Sequence, residues 1–403
     1  MIASASAQAT PSSEATLIRR IATVDLLRGL IMIVMALDHT RDFFSNAAVD
    51  PTDPLKSWPA LFFTRWITHL CAPGFVALAG TSIYLQRQRG RSKTFMAKRL
   101  VTRGLWLLFV EIAIVSFGIF FTYQFHFLQV IYAIGASMIL MAALQFLPTW
   151  GVAAYGFAVV FLHNLLDPIE LSQVGHFGWL WKLLMIRGVF FRHGQLWAID
   201  AYPLIPWSGA MALGYVFGVV VLMPAAKRRR VSLQLGAVSL ALFAVLRWTN
   251  VYGDFAPFQH LGSFTRTTMS FFNVSKYPPS LQYFLVTLGI LLVLFAIADY
   301  ALERQWMTRA LGVVEVYGRV PFFYYVPHFY ILHLAALFTL MFAMHTVHVH
   351  PAIPLFNPSP PQATFSLPIV YLIWISVVAL LYLPCRWFAG VKARRRDWWL
   401  SYL

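Results

Sequence analysis

Cysteine is almost missing from this 403-residue chain, which has only Cys71 and Cys385. Both lie in apolar stretches near opposite sides of the membrane inferred below. A disulfide-stapled secreted scaffold is therefore excluded, and no bridge between the two is expected. Charge is scarce as well, at 11% of residues, while 59% are hydrophobic. A soluble domain cannot hide that much apolar surface. Acidic residues are fewer than basic ones, 15 against 31, for a net charge of +16. The basic residues sit in short loops between apolar runs, a placement that fits membrane topology and lipid head groups and argues against a nucleic-acid-binding face. The common soluble catalytic signatures are absent too: no Walker loop, no GxSxG, no HExxH, and no GxGxxG in a strand–helix context. No internal repeat of hydropathy or motif is visible, which weighs against a transporter built from inverted halves.

What the chain does have is apolar runs of about 20 residues, the length that crosses a bilayer. Ten can be drawn, at 24–44, 61–85, 104–123, 128–147, 150–166, 204–224, 231–249, 280–299, 320–344 and 366–388. The expected fold is all-α, a polytopic integral membrane bundle of about ten helices. Arginines and lysines cluster in every second loop, at 87–103, 227–230 and 304–319, and again at 392–396. Positive charge stays inside, so both termini are expected to be cytoplasmic. Residues 1–18 read as a disordered tail, 19–390 as the membrane domain, and 391–403 as a basic cytoplasmic tail. The outer side receives the long loops. One of them contains "FGWLWKLLMIRGVFF", an apolar stretch with Lys182 and Arg187 that reads as interfacial or re-entrant.

Several runs carry groups that lipid does not tolerate. In "LLRGLIMIVMALDHTRDFF", Arg28 and His39 are eleven residues apart. Eleven residues make three turns plus roughly 20°, so the two share one face about 16 Å apart along the axis. Asp25, Met32, Met35 and Asp42 fall within roughly 60° of that line, and Asp38 adjoins it. Such a stripe must face the bundle interior or a cavity. In the second run, Arg65 and His69 are at i,i+4. Pro73 deprives the His69 carbonyl of its helical donor and frees it to accept from another group. Glu111, His163, His328 and His333 complete the intramembrane set. His328 and His333 are five apart and cannot face one site equally. The triplet His345, His348, His350 lacks a clear fourth ligand, and no metal is expected. A histidine near the outer side, oriented by a carboxylate, can act as general base, and an inner arginine can neutralise an anionic donor. The same ingredients serve a proton relay.

The stretches "IATVDLLRGLIMIVMALDHTRDFF", "WITHLCAPGFVALAGTS", "YPLIPWSGAMALGYVFG", "NVSKYPPSLQYFLVTLG" and "GRVPFFYYVPHFYILH" resemble prokaryotic relatives of lysosomal heparan-α-glucosaminide N-acetyltransferase, over residues 20 to 345. The Arg28–His39 spacing also looks like the Arg-X10-His signature of membrane acyltransferases that modify surface glycans. The resemblance implies transfer of an acyl group from cytoplasmic acetyl-CoA, or another acyl-CoA, to a sugar or glycan on the opposite side of a bacterial cytoplasmic membrane. The lysosomal enzyme has its key histidine in the loop after the first helix, where this chain reads "PLKSWPALF" without one. It has Asn and Asp in place of His39 and His69. The base role is therefore expected at His39, with His69 beside it. Asp38 or Asp42 is expected to orient the ring, Arg28 to meet the donor, and Arg65, Lys276 and His328 to meet the acceptor. Expected partners are acyl-CoA, the glycan acceptor and the bilayer, without nucleic acid and compatibly with a homodimer. The alternatives are a proton-coupled transporter or flippase using Asp38, His39, Glu111 and His328, and a scaffold whose charges only fix packing.

Overall fold

A computed structural model describes residues 13–45, 50–344, 364–395 and 397–402. All ten apolar runs are helical. We label the long helices α1 (Ser13–Phe44), α2 (Pro59–Arg87), α3 (Lys93–Phe120), α4 (Val130–Leu144), α5 (Thr149–Leu166), α6 (Leu204–Val221), α7 (Ala225–Thr249), α8 (Leu281–Glu303), α9 (Thr308–Arg319), α10 (Pro321–Ala343) and α11 (Leu367–Arg394). Eight of these are long and apolar enough to cross a membrane, and the chain is an integral membrane protein. The two other runs fold as α1 and α4. α1 carries more charge than a lipid-facing span tolerates. α4, at 15 residues, packs among α2, α3 and α6.

α1 packs on α2, α8, α9, α10 and α11, so its charged stripe is enclosed by helices. Hydroxyls along the spans are satisfied locally. Thr40, Thr81, Ser82 and Thr287 each donate to the carbonyl four residues earlier, as groups without water must. Several long helices carry breaks or prolines at identifiable points. α2 has a 3₁₀ turn at Thr68–Leu70, just before Pro73; α3 has a π turn at Glu111–Val115; and α10 contains Pro327.

The basic loops meet at one end of the bundle. There Arg28 donates to the Gly318 carbonyl, Arg87 to Tyr215, and Tyr402 to Thr102, while Arg228 pairs with the fully buried Asp299. The other loops meet at the opposite end. Ser45 bridges to Phe365, and His163 donates to the Pro279 carbonyl. A small sheet lies at that end, made of β1 (His126–Leu128), β2 (Gly188–Arg192) and β3 (Gln195–Asp200) in the order β1-β3-β2. β2 and β3 form a hairpin through His193 and Gly194, both with positive φ, as a tight primed turn requires. The stretch read as an interfacial piece is thus a short helix, Gly178–Leu184, followed by a strand. α9 was not foreseen. It occupies a charged stretch between the apolar runs at 280–299 and 320–344.

Candidate active site

The C-terminal half of the α1 stripe enters a cluster of buried polar groups. His39 is 8% exposed and His328 fully buried. His39 Nδ1 lies 2.6 Å from His328 Nε2, and the rings stack with centroids 4.9 Å apart. Phe329 stacks on His39 at 4.3 Å. The second nitrogen of His328, Nδ1, donates to the Tyr325 carbonyl one turn back on α10. His333 turns elsewhere, toward the Gly118 carbonyl and the Phe121 ring. The five-residue spacing therefore separates these two histidines, as helical geometry requires.

The carboxylates expected to orient His39 are engaged by arginines. Asp38 accepts from Arg41 at 3.0 Å and faces Arg65 at 3.4 Å, and Asp42 accepts from Arg41 at 2.5 Å. The reason is angular. Asp38 is one residue from His39, about 100° around the helix, and points at α2, whereas His39 points at α10. His328, expected at the acceptor, is instead the ring partner of His39.

Arg65 also donates to Thr68 Oγ1 at 2.8 Å, within the turn that breaks α2. His69 follows in that turn and is 2% exposed. Its carbonyl, freed by Pro73, accepts the Tyr283 hydroxyl at 2.9 Å. Its ring packs edge-on against Trp66 and Tyr283. His39 and His69 share the electrostatic neighbours Arg65, Lys276 and Asp38.

Lys276 comes from the loop after α7, and that loop is held firmly. Asp254 accepts from the Ser275 amide and from the Ser275 and Ser280 hydroxyls. The buried Arg247 donates to the Ala256, Ser270, Phe271 and Asn273 carbonyls. The Lys276 ammonium, 7% exposed at the residue level, lies 5.0 Å from the centre of the Tyr277 ring and makes no ion pair among the described residues.

Glu111, a candidate for a proton path, has a local structural role. It accepts from the Tyr132 amide at 2.9 Å, capping the first turn of α4 with a carboxyl. His345, His348 and His350 lie outside the described residues.

A cavity of about 280 Å³ opens at the basic end. It is lined by Arg28, Arg99, Arg103, Arg319 and Lys392, drawn from α1, α3, α9 and α11. Arg28 is braced by Asp25 at 2.6 Å, Ser82 at 2.9 Å and the Gly318 carbonyl at 3.1 Å, and Arg319 pairs with Glu315. Arg99, Arg103 and Lys392 have no carboxylate partner among the described residues, and Arg103 Nε is buried without an acceptor. The walls are apolar, with Met32, Phe75, Leu107 and Ile134, and they include Tyr325, three residues before His328. The spacing of α1 pointed to Arg28. The convergence of the other four cations on it depends on how four helices pack.

A family model described as heparan-alpha-glucosaminide N-acetyltransferase, catalytic, matches residues 20–250. No curated protein matches the chain. The matched stretch is more than half of the chain and holds Arg28, Asp38, His39, Arg65 and His69, whereas Lys276 and His328 lie beyond it. A helical membrane bundle and this match together assign the chain to the heparan-alpha-glucosaminide N-acetyltransferase catalytic family, a family of membrane acetyltransferases.

Proposed function

We propose that the protein transfers an acyl group, acetyl in the first instance, from acyl-CoA on the cytoplasmic side of a bacterial cytoplasmic membrane to a hydroxyl or amine of a sugar or glycan on the outer side. The observation that carries this reading is the cavity at the basic end, lined by five cations, three of them without a carboxylate partner among the described residues, and by apolar side chains together with Tyr325. Clustered guanidinium and ammonium groups suit the phosphates of a nucleotide carrier, and the apolar interior suits a pantetheine arm and its thioester. The acetyltransferase family supplies the reaction class.

His39 serves as the base. It removes the proton from the acceptor as the acceptor oxygen or nitrogen attacks the thioester carbonyl carbon. The carbon–sulfur bond then breaks, and the thiolate takes up a proton to leave as the free thiol. Arg65 and Lys276 hold the acceptor, and Asp38 fixes the Arg65 fork. His69, buried in the broken turn of α2, shares the electrostatic neighbours Arg65, Lys276 and Asp38 with His39.

The test is transfer of labelled acetyl from acetyl-CoA to a panel of amino sugars and oligosaccharides in proteoliposomes. Transfer by the wild type, lowered at least about 10²-fold in His39→Ala, is the expected result. Acceptor flux without consumption of acetyl-CoA would instead make the protein a transporter.

A further inference from the structure

We infer that His328 is a positioning residue that holds His39 in its Nδ1–H tautomer and so makes Nε2 of His39 the basic nitrogen. The inference rests on the reading of His39 as the base and adds how that base is prepared. A carbonyl oxygen only accepts, so the contact of His328 Nδ1 with the Tyr325 carbonyl places the proton on Nδ1. A neutral ring then has a bare Nε2. The atom 2.6 Å away, His39 Nδ1, must therefore donate to it. One proton on Nδ1 leaves Nε2 of His39 with a free lone pair. The chain of three groups, Tyr325 carbonyl, His328 and His39, thus decides a tautomer that neither histidine would fix alone.

Packing holds the arrangement. Phe329 stacks on His39 at 4.3 Å, and Tyr324 lies parallel to the His328 ring at 5.8 Å and 10°. The charged groups around His39, namely Asp38, Arg41, Arg65 and Lys276, surround the ring without taking its Nδ1. In hydrolases of the serine–histidine–aspartate type a carboxylate orients the base. Here a neutral imidazole takes that place. When His39 accepts the acceptor's proton on Nε2, its Nδ1–H bond to His328 persists, so the imidazolium keeps its orientation while the proton is passed to the departing sulfur.

Two measurements test this. Nitrogen NMR of ¹⁵N-histidine-labelled protein in nanodiscs, with the His39 signals assigned by difference from His39→Gln, is expected to show a protonated Nδ1 and a bare Nε2 on His39. His328→Gln keeps an acceptor oxygen near the Nε2 position and is expected to retain that tautomer and most of kcat. His328→Leu removes the acceptor and is expected to lose the tautomer preference and to lower kcat by roughly 10²-fold at unchanged KM for acetyl-CoA. A protonated Nε2 on His39 in the wild type overturns the inference, as do Gln and Leu variants that fold and behave alike. Nδ1–H on His39 in a wild type that transfers no acetyl group supports the positioning role and overturns the acyltransfer reading instead.

Discussion

Asp38 sits between two guanidiniums, and its place shows how this site tolerates buried charge. Arg41 and Arg65 surround one carboxylate, and Asp42 adds a second acceptor for Arg41. Removing one member of such a group leaves an uncompensated charge, which costs more than the intact group contributes. Asp200, outside the spans, lies at the other extreme. It is fully buried at the end of β3; Oδ1 accepts from the Tyr202 amide while Oδ2 has no partner among the described residues. Burial pushes its carboxyl up to about 7, against the opposing effect of that amide. In the unfolded chain it ionises near pH 4. Between those values the folded state holds a proton that the unfolded state has released, so this group's contribution to stability falls as pH rises from about 4 to about 7 and is level above. Asp200→Asn keeps an acceptor for the amide and removes the titration. Its stability in detergent is expected to gain on the wild type between pH 5 and pH 8, by at most about 3 kcal/mol, read as a rise in relative melting temperature. Parallel wild-type and variant curves would show that Asp200 does not titrate this way.

At the scale of elements, the crossing of α1 and α9 sets the site's geometry. A Cβ on Gly318 would fall 1.7 Å from the Asp25 carbonyl oxygen, and one on Gly29 would fall 2.0 Å from that of Val314. Only glycine lets the two backbones approach so closely. That approach also brings the Gly318 carbonyl onto Arg28. Gly318→Ala is expected to destabilise the protein by about 1–3 kcal/mol through forced separation of the helices. Gly312, in the same helix, has open space at its Cβ, and Gly312→Ala is expected to stabilise by about 0.5–1 kcal/mol through helix propensity alone. Thermal unfolding of both variants in one detergent checks the pair; losses of equal size would contradict the close crossing. α2 shows a local rule working as expected. Proline at i+4 frees a carbonyl, and the carbonyl finds the Tyr283 hydroxyl.

At the scale of the molecule, the bundle gathers cations from four helices at one end and histidines from three helices toward the other. The proposed donor cavity predicts that Arg103→Gln weakens acetyl-CoA binding about tenfold, near 1.4 kcal/mol, and lessens its salt dependence, because Arg103 has no carboxylate partner among the described residues. Calorimetric titration of the purified protein with acetyl-CoA measures both. Unchanged affinity would remove the cavity from the donor's path.

Much of this was legible in the residues. Ten apolar runs became ten helices because apolar length is a local property that lipid enforces strongly. The eleven-residue spacing put Arg28 and His39 on one face because helical period is fixed. α9 and the three-stranded sheet escaped notice. The first is a 12-residue amphipathic helix between spans, and the second pairs short strands from distant loops. His328 could be named as a polar residue in a span, but its role could not, since it lies 289 residues from His39. The sequence by itself therefore determined that the chain enters a membrane, which groups must turn inward, and which of them share a helix face. Only the tertiary structure decided that His39 meets an imidazole rather than a carboxylate. Partner choice depends on the rotation and depth of α1 against α10, which the close glycine crossing and surrounding packing set, and no local pattern encodes either quantity.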